Sequence, residues 1–432
     1  MDYRNYIDGR WVASSDGKTF EQRNPANLGE VTGHWPKSTR EDAKQAIESS
    51  HAAFADWAGI GVHKRAEYLS KAVAAMKGRA EEIAAILTAE NGKTLNESRT
   101  EVSSAVREME FQIAQGVAMC GETVPSSTPG VFAYSVRRPV GVASIISPWN
   151  FPFNVPGRKC TPALISGNTI VFKPASLTPK AGKAFVDVFI EAGLPSGVLN
   201  FVSGGGGTVG EEMITNPLVE AVSFTGSTGV GKSIQQSVAQ TLVRTQLELG
   251  GKNPAVIMED ADLDKAAEGV ATAAYACAGQ WCTSTSRAII VREVAEAFNA
   301  KLLERVNAIR VGDGRGDVDM GPVCGSDQLE SIMGYINIGQ EEGATLAAGG
   351  NRLTADGMDQ GCFIEPTVFT DVQPEMRIAQ EEIFGPVLSV LVADNFDEAL
   401  ELANRVEFGL SSSIFTKDIS RAFQFLEKTE VG

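Results

Sequence analysis

The chain has 432 residues, with 38 Lys and Arg against 54 Asp and Glu for a formal charge of −16, and 43% of it is hydrophobic. Such a length corresponds to about two to four domains of roughly 100–200 residues, and the apolar fraction is that of a globular protein with a large buried core, which excludes general disorder. A strongly negative charge without any Lys/Arg-rich run also argues against nucleic acid or an anionic membrane as a partner.

The amino-terminal MDYRNYIDGRW has neither a basic start nor an apolar core. No stretch approaches the roughly 18 apolar residues of a membrane span, so a cytoplasmic protein is expected. Six cysteines, at 120, 160, 277, 282, 324 and 362, form no CxxC pair and are too scattered for a disulfide framework, which fits a reduced compartment. All three histidines, His34, His51 and His63, fall in the first 63 residues. No metal site and no Ser-His-Asp triad is therefore expected in the remainder.

After a short strand-like opening, residues 40–120 carry apolar side chains at spacings of three and four, as in EDAKQAIESSHAAFADW and KRAEYLSKAVAAMKGRAEEIAAILTAENGKT, which predicts packing helices. From Val140 the texture changes to β-branched runs alternating with helical segments: VGVASIIS, NTIVFKP, KAFVDVFIEAG, VLNFVSG, AVSFTG, then a helix from about Val230. That alternation marks an α/β fold with parallel sheets and crossover helices. The pattern restarts at PAVIMED, continues through DLDKAAEGVATAAYACAG and RAIIVRE, and runs on to the end. Two α/β domains joined near Gly250–Gly251 are predicted, one from 1–125 and 139–250 and the other from 251–432, with 126–138 extended between the first helices and the first sheet.

Two glycine loops follow predicted strands, and either could present backbone N–H groups to phosphate at a helix start. One, GGGGTVG, contains GxGxxG at Gly205, Gly207 and Gly210 but lacks the acidic residue about 20 positions on that would grip a ribose, so a flexible turn explains it equally well. The other, GSTGVGKS from Gly226 to Ser233, satisfies GxxxxGK[ST] with Lys232 in the lysine position, and PAVIMED ends an apolar strand in an acid as a magnesium-holding segment would. A P-loop ATPase is therefore one local reading, and a Gly-rich strand-to-helix turn is the other.

Three residues suggest different chemistry. In AGQWCTSTSR, Cys282 ends an Ala-rich helical run among small polar residues, where a thiolate could be reached as a nucleophile. Buried packing is the better reading for Cys277 inside that helix and for Cys120. Glu248, between Leu247 and Leu249 in QLELGGKNP, would face away from its leucine neighbours in a strand, and partial burial could raise its pKa toward a general base's range; an ordinary surface Glu is the alternative. Asn150 in SPWNFPF is an amide donor in a proline-stiffened loop, suited to stabilising an oxyanion or to capping a turn.

A thiol, a carboxylate, an amide and a nucleotide loop without histidine resemble the aldehyde dehydrogenase superfamily. The motifs SPWNFPF, NTIVFKPAS, SFTGSTGVG, LELGGKNP, GQWCTSTSR and EEIFGPV stand in that family's order and spacing, and the likeness extends from YIDGRW to SSSIFTKD. Six ordered motifs outweigh the single P-loop pattern. The resemblance implies two Rossmann-like parallel-sheet domains plus a small extended oligomerisation element: 1–125 and 139–250 bind the dinucleotide, 251–432 is catalytic, and 126–138 is the first part of an oligomerisation arm. It further implies that Cys282 attacks an aldehyde, that the Asn150 side chain and the Cys282 backbone N–H hold the oxyanion, and that Glu248 activates water. Trp149, Lys173, Ser176, Gly226, Ser227, Leu249, Glu382 and Phe384 would contact the cofactor, with Glu382 on the nicotinamide ribose.

Two details concern specificity. Ser176 stands where NAD-restricted members often carry a Glu that accepts from the adenosine ribose, so NADP is expected to be accepted, alongside NAD. Arg158 in PGRKCTPAL matches an arginine that binds the distal carboxylate in succinate-semialdehyde enzymes, a group suited to a bidentate guanidinium, although an ordinary surface ion pair is the plain alternative. A second arginine of those enzymes is Ala276 here, which leaves room for another acidic aldehyde, and the overall texture is nearest the 2-oxoglutarate-semialdehyde branch. Members usually continue past the position of Gly432 with a PFGG segment and a final pairing strand, so an incomplete arm and altered homo-oligomer assembly are expected. A catalytically silent homologue is the remaining alternative, opposed by the presence of Cys282, Glu248 and Asn150 together.

Overall fold

A computed structural model describes residues 3–432, and in it the β-branched runs form two separate sheets. In the seven-stranded sheet the order is Arg244–Glu248, Val219–Thr225, Val142–Ile146, Thr169–Lys173, Leu199–Phe201, Asn5–Ile7, Arg10–Val12. The first five are parallel, and the amino-terminal pair is added antiparallel at one edge. Val142–Ile146 and Thr169–Lys173 are buried along their whole length, which is why they read as unbroken apolar runs rather than alternating ones.

Register decides what this sheet presents at its carboxyl edge. Ile146 is opposite Lys173 and Phe224, and Thr225 is opposite Glu248, so four strands finish at one level. The chain moves outward from Val142–Ile146 to Leu199–Phe201 and then returns to the other flank as Val219–Thr225. A reversal of that kind opens a crevice beyond the carboxyl ends of the two central strands, where open α/β sheets bind ligands.

The six-stranded sheet has the order Thr345–Ala348, Thr367–Thr370, Val387–Ala393, Thr285–Val291, Asn253–Ile257, Ser413–Phe415. Five strands are parallel, with Thr345–Ala348 antiparallel at the edge. The chain divides into two compact units accordingly: 1–22, 31–90 and 98–248 in the first, and 23–30, 91–97 and 249–432 in the second. Segments 23–30 and 91–97, which the sequence pattern alone assigned to the first domain, thus belong to the second unit.

Helices Arg40–Gly59, Val62–Gly78, Ala80–Asn91 and Leu95–Val117, which apart from residues 91 and 95–97 belong to the first unit, supply the predicted packing layer. The first of them starts at a reciprocal capping box between Thr39 and Asp42, satisfying two of the otherwise orphaned donors. Trp35, Trp57, Phe172, Phe185 and Phe201 lie in that unit's core; Phe298, Phe369 and Leu388 lie in the other's. Residues 126–138 are mostly exposed; 126–132 connect the strands of a short ribbon, Thr123–Val124 with Ala133–Tyr134, and 135–138 follow it. Among the described residues no helix is long and apolar enough to cross a membrane.

Three local expectations change. Helix Thr228–Val238 begins two residues after Gly226, so Gly229 to Lys232 are already helical and no loop remains to wrap a phosphate. Lys232 is exposed on that helix. Asp260, the acid after the PAVIMED strand, instead accepts from the Thr416 hydroxyl and from the N–H groups of Lys417 and Asp418. Both halves of the P-loop ATPase reading therefore fail. Cys120 is exposed rather than buried. Cys277 is buried, but the helix ends at Tyr275 and Cys277 follows it in a left-handed turn.

Candidate active site

At the carboxyl edge of the first sheet, Asn150 sits in the loop after Val142–Ile146 and is buried. What holds the loop is Glu101, a buried carboxylate on helix Leu95–Val117 that accepts from the N–H groups of Phe153 (2.9 Å) and Asn154 (3.0 Å) at the start of helix Asn154–Ile165. Trp149 beside it is half-buried.

Lys173 ends the neighbouring strand. Its ammonium is buried and donates to the Pro174 carbonyl at 3.1 Å, and burial pulls its pKa down to about 8. Ser176, three residues on, is exposed and donates to the Gly204 carbonyl, tying this turn to the GGGG segment. That segment forms one π-helical turn, Gly206–Gly210, in which Val209 and Gly210 donate to the Gly205 carbonyl.

The Gly226–Ser227 turn follows Val219–Thr225. A Cβ on Gly226 would lie 2.5 Å from the Phe224 ring, so only glycine lets the turn close on the strand. Ser227 is the N-cap of helix Thr228–Val238 but makes no capping bond, and the Thr228 hydroxyl, though buried, finds no hydrogen-bond partner among the described residues. The Gly226 N–H donates to the Glu248 backbone carbonyl at 3.1 Å, fastening this turn to the residue predicted as base.

Glu248 is exposed rather than partly buried, because it alternates outward with Gln246 and Arg244 on an edge strand. Its carboxylate accepts from Gln246 Nε2 at 2.7 Å. Sequence reasoning missed Gln246 and also the buried Lys159, which donates to Gln246 Oε1 at 2.7 Å and to Ser223 at 2.8 Å. Only the strand alternation, read together with the parallel partner strand, could have signalled this group. Arg158 is exposed, and Glu108 takes its Nε–Nη2 edge in a bidentate ion pair at 2.5 Å, the plain alternative for that residue.

In the second unit, three loops enter adjacent strands from their amino ends and bring Leu249–Lys252, Cys282 and Glu382–Phe384 to one edge. Cys277, Ala278 and Gly279 have φ of 52°, 54° and 68°, a left-handed run that costs energy in non-glycine residues and is held only by its surroundings. Glu97 accepts from the Cys277 N–H at 2.6 Å, and Gln280 donates to the Cys277 carbonyl and accepts from the Cys324 N–H.

Asn253 completes the support: its amide donates to the carbonyls of Cys282 and Ser284, both at 2.8 Å, and accepts from the Ser411 N–H. The Cys282 residue so held is half-buried, in a polar turn. Glu382 accepts from the Gly251 N–H at 3.1 Å, and a Cβ on Gly250 would sit 2.0 Å from Glu382 Oε2. Burial raises the Glu382 pKa. Phe384 adopts φ of 55° with its carbonyl accepting from Gln328, and Leu249 is half-buried.

The predicted residues thus gather in two sets. Trp149, Asn150, Lys173, Ser176, Gly226, Ser227 and Glu248 lie at the carboxyl edge of the first sheet or on loops leaving it, while Leu249, Cys282, Glu382 and Phe384 belong to the second unit. Among the described residues no group of three or more His, Cys, Asp or Glu could hold a metal ion.

Alpha-ketoglutaric semialdehyde dehydrogenase of Bacillus subtilis is 42% identical over 431 residues, covering 100% of this chain and 88% of the relative. Betaine aldehyde dehydrogenase of Staphylococcus aureus, solved in complex with NAD+, superimposes with a TM-score of 0.97 at 35% identity, covering 100% of this chain and 86% of that one. An E. coli NADP-dependent enzyme superimposes with a TM-score of 0.97 at 33% identity, covering 100% and 89%. The profile of the aldehyde dehydrogenase family matches residues 11–432. With a relative 42% identical over the whole of this chain and that profile match, the chain belongs to the aldehyde dehydrogenase family, whose members act on aldehydes with a nicotinamide cofactor.

Proposed function

We propose that this aldehyde dehydrogenase oxidises an acidic semialdehyde, of the 2-oxoglutarate or succinate semialdehyde kind, to the carboxylic acid, and that it accepts NADP alongside NAD. The observation that carries the substrate class is the 42% identity, over the whole chain, to a relative named for alpha-ketoglutaric semialdehyde. The residues present fit a dinucleotide. Lys173 offers a buried ammonium, Gly226 leaves no room for a Cβ beside a helix start, and Glu382 rests against Gly250 with a backbone donor fixing it. Helix starts with open N–H groups favour phosphate, and a carboxylate suits ribose hydroxyls. When bound, the nicotinamide accepts the hydride.

In this reading the Cys282 thiolate attacks the carbonyl carbon, and the Asn150 amide with the Cys282 backbone N–H stabilises the oxyanion where its charge develops. Loss of hydride leaves a thioester on Cys282. Glu248 then takes a proton from water, whose oxygen attacks the thioester and releases the acid and the thiolate. The clamp of Asn253 on the Cys282 carbonyl supports the nucleophile role, because attack within a fixed geometry avoids most of the entropic cost. Arg158 would recognise the distal carboxylate by sharing or displacing Glu108. The exposed ribbon that carries Phe132 and Tyr134 supports the expectation of a homo-oligomer.

A panel of succinate, glutarate and 2-oxoglutarate semialdehydes beside neutral aliphatic aldehydes, run with both cofactors, tests the proposal. A kcat/KM preference of about tenfold or more for the carboxylated compounds is expected, lost in Arg158→Met; equal rates on neutral aldehydes would overturn the substrate class. Cys282→Ala abolishes oxidation of every member of the panel, and retained turnover would overturn the mechanism.

A further inference from the structure

Gln246 and Ser223 are directly opposed on adjacent parallel strands, and Glu248 lies two residues beyond Gln246 on the same face. Helix Asn154–Ile165 brings Lys159 to this group. Gln246 Oε1 accepts twice, from Lys159 Nζ at 2.7 Å and from the Ser223 hydroxyl at 2.5 Å, while Gln246 Nε2 donates to Glu248 Oε1 at 2.7 Å. A carboxamide has two orientations, and the network decides between them. Turning this one over would set its NH2 against an ammonium and its oxygen against a carboxylate, so the lysine charge fixes the amide and the amide fixes the carboxylate.

We propose that Gln246 is a positioning residue for the general base: with its oxygen pinned by Lys159 and Ser223, its N–H holds the Glu248 carboxylate in one orientation for water activation. The proposal rests on Glu248 being that base. The ammonium polarises the amide that delivers this hydrogen bond. Lys159 is buried while Gln246 and Glu248 are exposed, so the cation reaches the base through the amide rather than by competing for solvent. The titratable groups around Lys159 are Glu248, on strand Arg244–Glu248, and the Cys160 thiol on its own helix; strand Val219–Thr225 contributes Ser223. Burial lowers the Lys159 pKa to about 8 against the pull of Glu248.

Gln246→Glu keeps the acceptor toward Lys159 and Ser223 but loses the donor toward Glu248; Gln246→Leu loses both. Thioester formation on Cys282 and its hydrolysis are followed separately by rapid mixing and acid-quenched protein mass, across pH. Hydrolysis slows about tenfold in both variants, with thioester formation within about twofold of the parent and the acidic limb of the hydrolysis profile moved up by roughly one pH unit in Gln246→Glu. Parental hydrolysis rates and an unmoved limb in both variants overturn the proposal. Glu248→Gln separates the two levels. If it alone is slow, the bridge falls and the base stands, whereas parental hydrolysis in Glu248→Gln removes the base assignment and the bridge with it.

Discussion

Single positions here owe their character to what surrounds them. In the proposed reading Ser176 leaves the adenosine end without the carboxylate that would repel a 2′-phosphate, so Ser176→Glu is expected to raise KM for NADP about tenfold or more while changing KM for NAD little, measured by steady-state kinetics with each cofactor. Lys252 is 1% exposed, and its ammonium has no hydrogen-bond partner among the described residues. Burial, reinforced by Arg287, lowers its pKa to about 7 from 10.5. Between those values the unfolded chain binds this proton and the folded chain does not. Stability therefore rises with pH from about 7 to 10.5 and is flat below, where both states are protonated. Lys252→Met removes that slope and stabilises the protein at pH 7 by about 1–3 kcal/mol, read as the difference in urea unfolding between pH 7 and 9.5. None of this is legible in LELGGKNP, because the lysine's burial is created by elements far along the chain.

Among the elements, helix Asn154–Ile165 follows the loop that carries Asn150, the proposed oxyanion donor. It has no side-chain cap of its own, and Phe153 at its N-cap position is in a helical conformation. Glu101 supplies the missing acceptor from another helix, meeting two backbone donors with a carboxylate near the positive end of the helix dipole. Glu101→Ala should cost about 1–3 kcal/mol in chemical unfolding, and it should slow thioester formation more than dinucleotide binding, since the loop it steadies carries Asn150. Rapid-mixing kinetics and cofactor titration distinguish the two effects. The SPWNFPF motif located the loop; it contains no sign of the residue that holds it, 49 positions earlier in the chain.

Across the whole molecule, tertiary contacts decide against the ATPase reading of GSTGVGKS. GSTGVGKS fits a P-loop residue by residue, yet the helix begins at Thr228, and Asp260 is consumed by Thr416, Lys417 and Asp418 within the second unit. Lys232→Ala should accordingly leave aldehyde oxidation within about twofold of the parent, and no ATP hydrolysis should appear with Mg2+ in either protein; a loss of turnover in the variant would contradict this account. The amino-acid order by itself determined the α/β class, the amphipathic helices and the family, because periodicity, turn chemistry and motif spacing are local properties written directly in the chain. Tertiary structure decided the rest. Strand register brought Lys173, Gly226 and Glu248 to one level, the edge position of Arg244–Glu248 left its carboxylate exposed, and parallel pairing set Gln246 beside Ser223 under Lys159. Each is a contact between residues distant in sequence, and such contacts depend on which strands and helices become neighbours, a choice that no local pattern encodes.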